Sequence, residues 1–249
     1  MIHVSSHDAV LRLTLARPEK KNAISSEMYR ALTEHLLRAE SDPAVRVVVF
    51  DAQGDAFCAG NDLREFAAVA SGAPQPQDAR AFLYALADAT KPYVAAVQGK
   101  AVGIGATLLL HCDLVFLADD AQLSTPFVNL GLVPEAASSL LLVQRIGHVK
   151  AFEMFALGLP IDAHQALSLG VANAVVPADQ LLSRVMEAAS VLSSRPIGAL
   201  QATKKLMRDA RKLHRVMDQE IEVFAERLKT AEALAALQAF AKGGEEQGS

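Results

Sequence analysis

Twice in this chain an apolar strand-like run passes through a glycine turn into a helix, and one fold has to accommodate both turns. The first turn is Phe57-Cys58-Ala59-Gly60-Asn61-Asp62-Leu63, after the run Val45 to Asp51. The second follows Pro92 to Val97 and carries glycines at 99, 103 and 105 before the apolar stretch Ala106 to Leu110. At such a turn the first N–H groups of the helix have no partner in the chain itself, so they favour negative charge. Taken alone, each turn needs nothing more than the freedom of glycine to send a strand sharply into a helix. Taken together, they can aim one N–H each into a shared cleft, Ile104 supplying one of them. Such a convergent pair of donors is what an oxyanion hole requires.

The rest of the chain supports an α/β reading. Val4 and Val10 to Leu15 form a hairpin around Ser5 to Ala9, and the chain turns at Arg17 to Asn22. Ser25 or Ser26 caps a helix from Glu27 to about Ser41, whose Met28, Leu32, Leu36 and Leu37 recur at helical spacing. Strands are expected at Arg46 to Asp51, Tyr93 to Val97, Asp113 to Ala118 and Val171 to Val175, and their alternation with helices predicts a largely parallel, covered sheet. Ser71 to Gln77 is linker-like, a mobile surface loop beside the pocket. From Pro177 onward the pattern is helical: Ala178 to Ser194, Ile197 to Ala210, His214 to Lys229 and Thr230 to Lys242. A soft boundary near Arg195-Pro196 separates a core, residues 1–195, from a C-terminal helical region, residues 196–249.

Composition narrows the functions. With 51% hydrophobic residues in 249, the chain can bury a large core as one domain with a small appendage. A net charge of −4 argues against a dedicated nucleic-acid surface. Two cysteines, Cys58 and Cys112, make no disulfide framework and fit a reducing compartment. There is no membrane-length apolar run, no secretory h-region and no terminal Ser-Lys-Leu, so a cytoplasmic protein is expected. The seven histidines lack paired metal-ligand spacing, which predicts no metal site. Ser138 and Ser139 have no evident histidine partner for a serine hydrolase, and the glycine loop lacks the lysine of a P-loop. Cys58 reads as a small buried filler rather than a nucleophile.

The two glycine loops, together with Pro126-Phe127-Val128-Asn129-Leu130-Gly131-Leu132-Val133-Pro134-Glu135, resemble the crotonase superfamily, the enoyl-CoA hydratase/isomerase family, in order and spacing from about Leu13 to the C-terminal helices. The resemblance implies a crotonase-like ββα superhelix whose C-terminal helices make trimer contacts and can close over the pocket. It implies an acyl-CoA thioester substrate, no cofactor beyond the coenzyme A of that substrate, and a homotrimer or hexamer. It places the two main-chain donors at Asn61 and Ile104. Each is typically worth roughly 3 kcal/mol to the enolate formed when a thioester loses a carbon-2 proton. Asn61 would act through its main chain, so its side chain would matter little, and as the residue after Gly60 it also suits a left-handed turn.

The acid–base residues depart from the hydratase pattern. Hydratases of the family carry glutamates at the positions of Thr107 and Phe127, and neither residue here exchanges a proton at neutral pH. Glu135, between Pro134 and Ala136-Ala137-Ser138-Ser139, matches the base of the peroxisomal-type Δ3,Δ2-enoyl-CoA isomerases, where one carboxylate moves a proton from carbon 2 to carbon 4. Its apolar neighbours Leu132, Val133, Ala136 and Ala137 would tune it toward neutrality. Read without the family, Glu135 is a favourable charge in the first turn of a helix opened by Pro134. For coenzyme A, the resemblance points to Arg64, Lys20 and Lys242 near the phosphates and to main-chain atoms around Lys20 and Ala59 near the adenine. It also sets Gly103 and Phe127 against the substrate. Each basic residue is otherwise an ordinary solvated charge. The leading expectation is an enoyl-CoA isomerase. Its rivals are a hydratase or other crotonase activity, and a noncatalytic acyl-CoA-binding scaffold.

Overall fold

The computed structural model describes residues 1–70 and 77–246, with backbone alone at Ala70 and beyond residue 239. Residues 71–76 of the linker-like stretch and the polar end at 247–249 lie outside the described residues. The strands are β1 (Ile2–His7), β2 (Val10–Leu15), β3 (Val47–Ala52), β4 (Ala56–Cys58), β5 (Tyr93–Val97), β6 (Lys100–Val102), β7 (Leu114–Ala118), β8 (Gln122–Ser124), β9 (Ile161–Asp162) and β10 (Ala174–Val176). They form two sheets, ordered β1-β2-β3-β5-β7-β10 and β4-β6-β8-β9. Among these named strands, the β1–β2 and β8–β9 pairs are antiparallel and the others parallel.

The winding follows from the strand order. Each of β3, β5 and β7 is followed at once by a strand of the other sheet, β4, β6 and β8, before a helical segment returns the chain. The helices are α1 (Ser26–Ser41), α2 (Leu63–Ala70), α3 (Asp78–Asp88), α4 (Ile104–Thr107), α5 (Ser138–Ile146), α6 (His148–Leu157), α7 (Ala163–Ser168), α8 (Leu181–Ser194), α9 (Ile197–Met207), α10 (Ala210–Leu228) and α11 (Ala231–Glu246). This is a crotonase-like ββα superhelix with C-terminal helices. The inner strands of the first sheet are apolar on both faces because both are covered: Val48 and Phe50 of β3 enter the main core, while Val47 and Val49 pack with Leu181, Val185 and Ala189 of α8. Leu213, Met217, Phe224 and Leu228 of α10 and Ala233 and Leu237 of α11 belong to the main core as well.

Several expected boundaries shift for local reasons. β1 runs on to His7, and the hairpin closes at Asp8 and Ala9, both with positive φ. The expected strand at Val171 starts only at Ala174, since the Asn173 side chain first accepts the Val115 N–H at 2.8 Å. α9 stops at Met207 because Asp209 caps α10, accepting from the Lys212 N–H. The apolar helix expected after Gly105 is a single turn, α4, continued as a 3-10 turn over Leu108–His111.

Candidate active site

Ladder bonds fix the first glycine loop. The Ala59 N–H donates to Lys21 O at 2.9 Å, the Ile24 N–H to Gly60 O at 2.8 Å, and the Asp62 N–H to Ile24 O at 2.9 Å. With Gly60 O and the Asp62 N–H both turned to Ile24, the Asn61 N–H between them points the other way, as alternate groups of a parallel ladder do. Gly60 takes the positive φ of 100°, and Asn61 is not left-handed, contrary to the sequence expectation. In the second loop, the Gly103 N–H donates to Ser124 O, and Gly103 O accepts from Ala106 and Thr107. The Ile104 N–H opens α4 and finds no acceptor among the described residues. The loops meet closely. A Cβ on Gly60 would stand 3.3 Å from Val102 O, and one on Gly103 would stand 3.9 Å from both Gly60 Cα and Phe127 Cε1.

Both loops open on a cavity of about 580 Å³, lined by Ala59, Gly60, Asn61, Val102 and Gly103 and walled by Leu63 and Phe66 of α2, Phe127, Leu130, Leu132, Phe224 of α10 and Ala236 of α11. A smaller cavity of about 130 Å³ shares Asn61, Phe66 and Phe224 with it and contains Glu135, beside Leu83, Ile221 and Arg80. Among the residues lining these two cavities, Glu135 is the one carboxylate. The hydratase glutamate positions hold buried Thr107, whose hydroxyl has no partner among the described residues, and buried Phe127.

The Asn61 side chain, assigned no importance by the sequence reading, joins the parts. Buried Tyr29 donates its hydroxyl to Asn61 Oδ1, which turns the amide nitrogen to Glu135 Oε1 at 3.4 Å. Burial, then the Glu135 charge, holds the Tyr29 hydroxyl well above its ordinary pKa, so it remains a donor. Burial first, and then the charge of Glu220, pushes the Glu135 carboxyl up to about 7, against the opposing pull of the Asn61 bond. Glu135 precedes α5 rather than sitting in its first turn. Ala136 and Ala137 are both left-handed, with φ of 63° and 54°, and the helix starts at Ser138, so no favourable helix-end position explains the residue. The turn is held from outside. Glu220 accepts the Ala137 N–H at 2.6 Å and the Ser139 N–H at 2.9 Å, and His111 Nε2 bonds Ala136 O at 2.8 Å.

The remaining sequence candidates divide. Ala59, Gly103 and Phe127 line the large cavity with Asn61, whereas Lys20 and Arg64 are exposed and do not line it. The side chain of Lys242 lies outside the described residues. Cys58 is buried against Gly105, where an added Cβ would lie 2.8 Å from Cys58 Cβ, and burial pushes its thiol up to about 12. Sequence reasoning missed Tyr29, Phe66, Phe224 and Glu220. Glu220 had a signal: an acid among Leu213, Met217, Phe224 and Leu228 on the apolar stripe of α10.

Two sheets wound strand by strand, with two glycine loops turned toward one apolar cavity, define an α/β spiral. The chain belongs to the enoyl-CoA hydratase/isomerase family, whose sequence profile matches residues 5–247. It is 33% identical over 246 residues to rat enoyl-CoA delta isomerase 2, covering 96% of this chain and 63% of the rat protein. It is 34% identical to Escherichia coli 2,3-dehydroadipyl-CoA hydratase, covering 84% of this chain and 82% of that one. Among solved structures, an enoyl-CoA hydratase/isomerase from Pseudoalteromonas atlantica superposes with a TM-score of 0.91 at 38% identity, covering 97% of both chains. Pseudomonas aeruginosa OdaA does so with a TM-score of 0.91 at 42% identity, covering 96% of this chain and 98% of that one. No helix among the described residues is long and apolar enough to cross a membrane.

Proposed function

We propose that this protein is a Δ3,Δ2-enoyl-CoA isomerase, acting on acyl-CoA thioesters without a further cofactor. The observation that carries the reading is that Glu135 is the one carboxylate lining the two cavities that share Asn61, with Thr107 and Phe127 where hydration would need acids. Glu135 takes a proton from carbon 2 of a 3-enoyl thioester, and the charge moves to the thioester oxygen. The N–H groups of Asn61 and Ile104 stabilise that oxygen. They have no other acceptor among the described residues and are fixed in place by the surrounding backbone bonds, so little reorganisation opposes them. The protonated Glu135 then returns the proton to carbon 4. A carboxyl near neutrality suits both halves of the shuttle. Asn61 steadies the carboxylate, and Tyr29 keeps the amide turned the right way.

Exposed Arg64 and Lys20, on segments flanking the first donor loop, are proposed to meet the coenzyme A phosphates. A homotrimer or dimer of trimers accounts for large apolar side chains left in water, among them Leu206, Met207, Val149 and Phe152. Kinship to the E. coli hydratase supports a second reading, hydration of a 2-enoyl thioester. Product analysis separates the two: the isomerase gives a conjugated 2-enoyl thioester of unchanged mass from a 3-enoyl thioester, and a product heavier by one water overturns it.

A further inference from the structure

We infer that Glu220 is a positioning residue for this reaction: from α10 its carboxylate clamps the turn that carries Glu135 and so sets where the base stands. The inference rests on the isomerase reading. Two successive left-handed alanines, Ala136 and Ala137, are held in a conformation that is strained for L-residues. Nothing in their own side chains offsets it, and α5 has no side-chain cap of its own. Glu220 supplies both, one oxygen taking the Ala137 N–H and the other the Ser139 N–H. It serves as an N-terminal cap delivered from a helix more than eighty positions away in the sequence.

Burying a carboxylate on an apolar stripe is costly, yet Glu220 is 8% exposed, between Met217 and Phe224. One turn further along α10, Phe224 walls both cavities and meets Phe66 of α2 edge-on at 5.6 Å. A single helix thus shapes the apolar pocket and fixes the base. His111, kept neutral by burial and by Arg208, holds the other side of the turn through Ala136 O, so the turn is gripped between two buried side chains. Around Glu135 the other groups are Tyr29 and Cys58, both kept protonated by burial, the neutral Asn61 amide, and Arg80, which is engaged with Tyr84 and Asp218. The Glu220 charge is the strongest ionic influence on Glu135.

The test compares the full-length parent with Glu220→Gln and Glu220→Asp. It measures kcat and KM for 3-enoyl-CoA, and an infrared titration of the Glu135 carboxyl identified by its absence in Glu135→Gln. Glu220→Gln, which loses the charge and one of two acceptors, is expected to cut kcat about ten-fold with KM within about two-fold. It should also move the Glu135 midpoint down by about half a unit. Glu220→Asp keeps the charge but cannot span both N–H groups, so kcat falls while the midpoint stays; if Glu220→Gln does not fold, this variant decides. A folded variant of either kind with the parent's kcat, or Glu220→Gln with the parent's midpoint, overturns the inference. If the parent does not isomerise 3-enoyl-CoA, the isomerase reading fails on its own. The infrared midpoints of the same proteins still decide whether Glu220 governs Glu135.

Discussion

At the donor loops the main chain is fixed by its own ladder bonds and by glycines in close contact, whereas the turn carrying Glu135 is fixed by a carboxylate and an imidazole from distant segments. The difference matches the two tasks proposed for these regions. A donor that must meet a developing charge gains from rigidity, since nothing then has to reorganise during the reaction. A base that takes a proton at one carbon and returns it at another has to sit where burial brings its pKa near neutrality, and an apolar turn with little polar company does that. The first region is specified by backbone geometry and the second by packing.

The sharpest way to break the comparison is to crowd the donor side. In Gly105→Val the first added carbon would already lie 2.8 Å from Cys58 Cβ and Cys58 O, both on the first loop. A loss of about 3 kcal/mol in denaturant unfolding is expected, with collapse of turnover. Next in size is the effect of pH. As the proposed base Glu135 must be ionised, so kcat/KM should fall about ten-fold per unit below its pKa of about 7.

Stability runs the opposite way. Both Glu135 and Glu220 are raised from an ordinary 4.5 to about 7, so the folded state holds protons that the unfolded state has released. Their stabilising protonation is complete below about pH 4.5 and is lost as pH rises through about 7. Unfolding of Glu135→Gln at pH values on either side of that window should show a flatter decline than the parent. A parallel decline would remove the burial argument for Glu135.

Smaller changes test the junction between the regions. Tyr29→Phe removes the hydroxyl that orients Asn61, and a loss of about 1 kcal/mol in transition-state stabilisation, or about five-fold in kcat/KM, is expected. Smallest of all is Ala137→Gly. Relief of the left-handed strain, about 1 kcal/mol, is offset by loss of a buried methyl of similar worth. Stability should therefore change by less than about 0.5 kcal/mol, in contrast to Gly105→Val.

The same contrast explains what was legible in the sequence. The donor loops announced themselves because a strand followed by glycines is a local signature, and the alternation of apolar runs with helices indicated a parallel, covered sheet, whereas the ββα winding came only with the family resemblance, since the two- and three-residue strands of the second sheet leave no pattern of their own. The apolar setting of Glu135 was legible in Leu132, Val133, Ala136 and Ala137, but the turn that holds it was not, because Ala136 and Ala137 carry no mark of a left-handed conformation and Pro134 falsely suggested a helix start. The Asn61 side chain was overlooked because its partners, Tyr29 and Glu135, lie 32 and 74 positions away. Glu220 could have been noticed as an acid on an apolar stripe, but nothing local said which turn it would reach.

The most direct test of the account is turnover of 3-enoyl-CoA by the parent and by Glu135→Gln, followed as formation of the conjugated 2-enoyl thioester. The account predicts rapid isomerisation by the parent and a loss of about 10²- to 10⁴-fold in the variant, with thioester binding retained. Isomerisation at the parent's rate by a folded Glu135→Gln would contradict it.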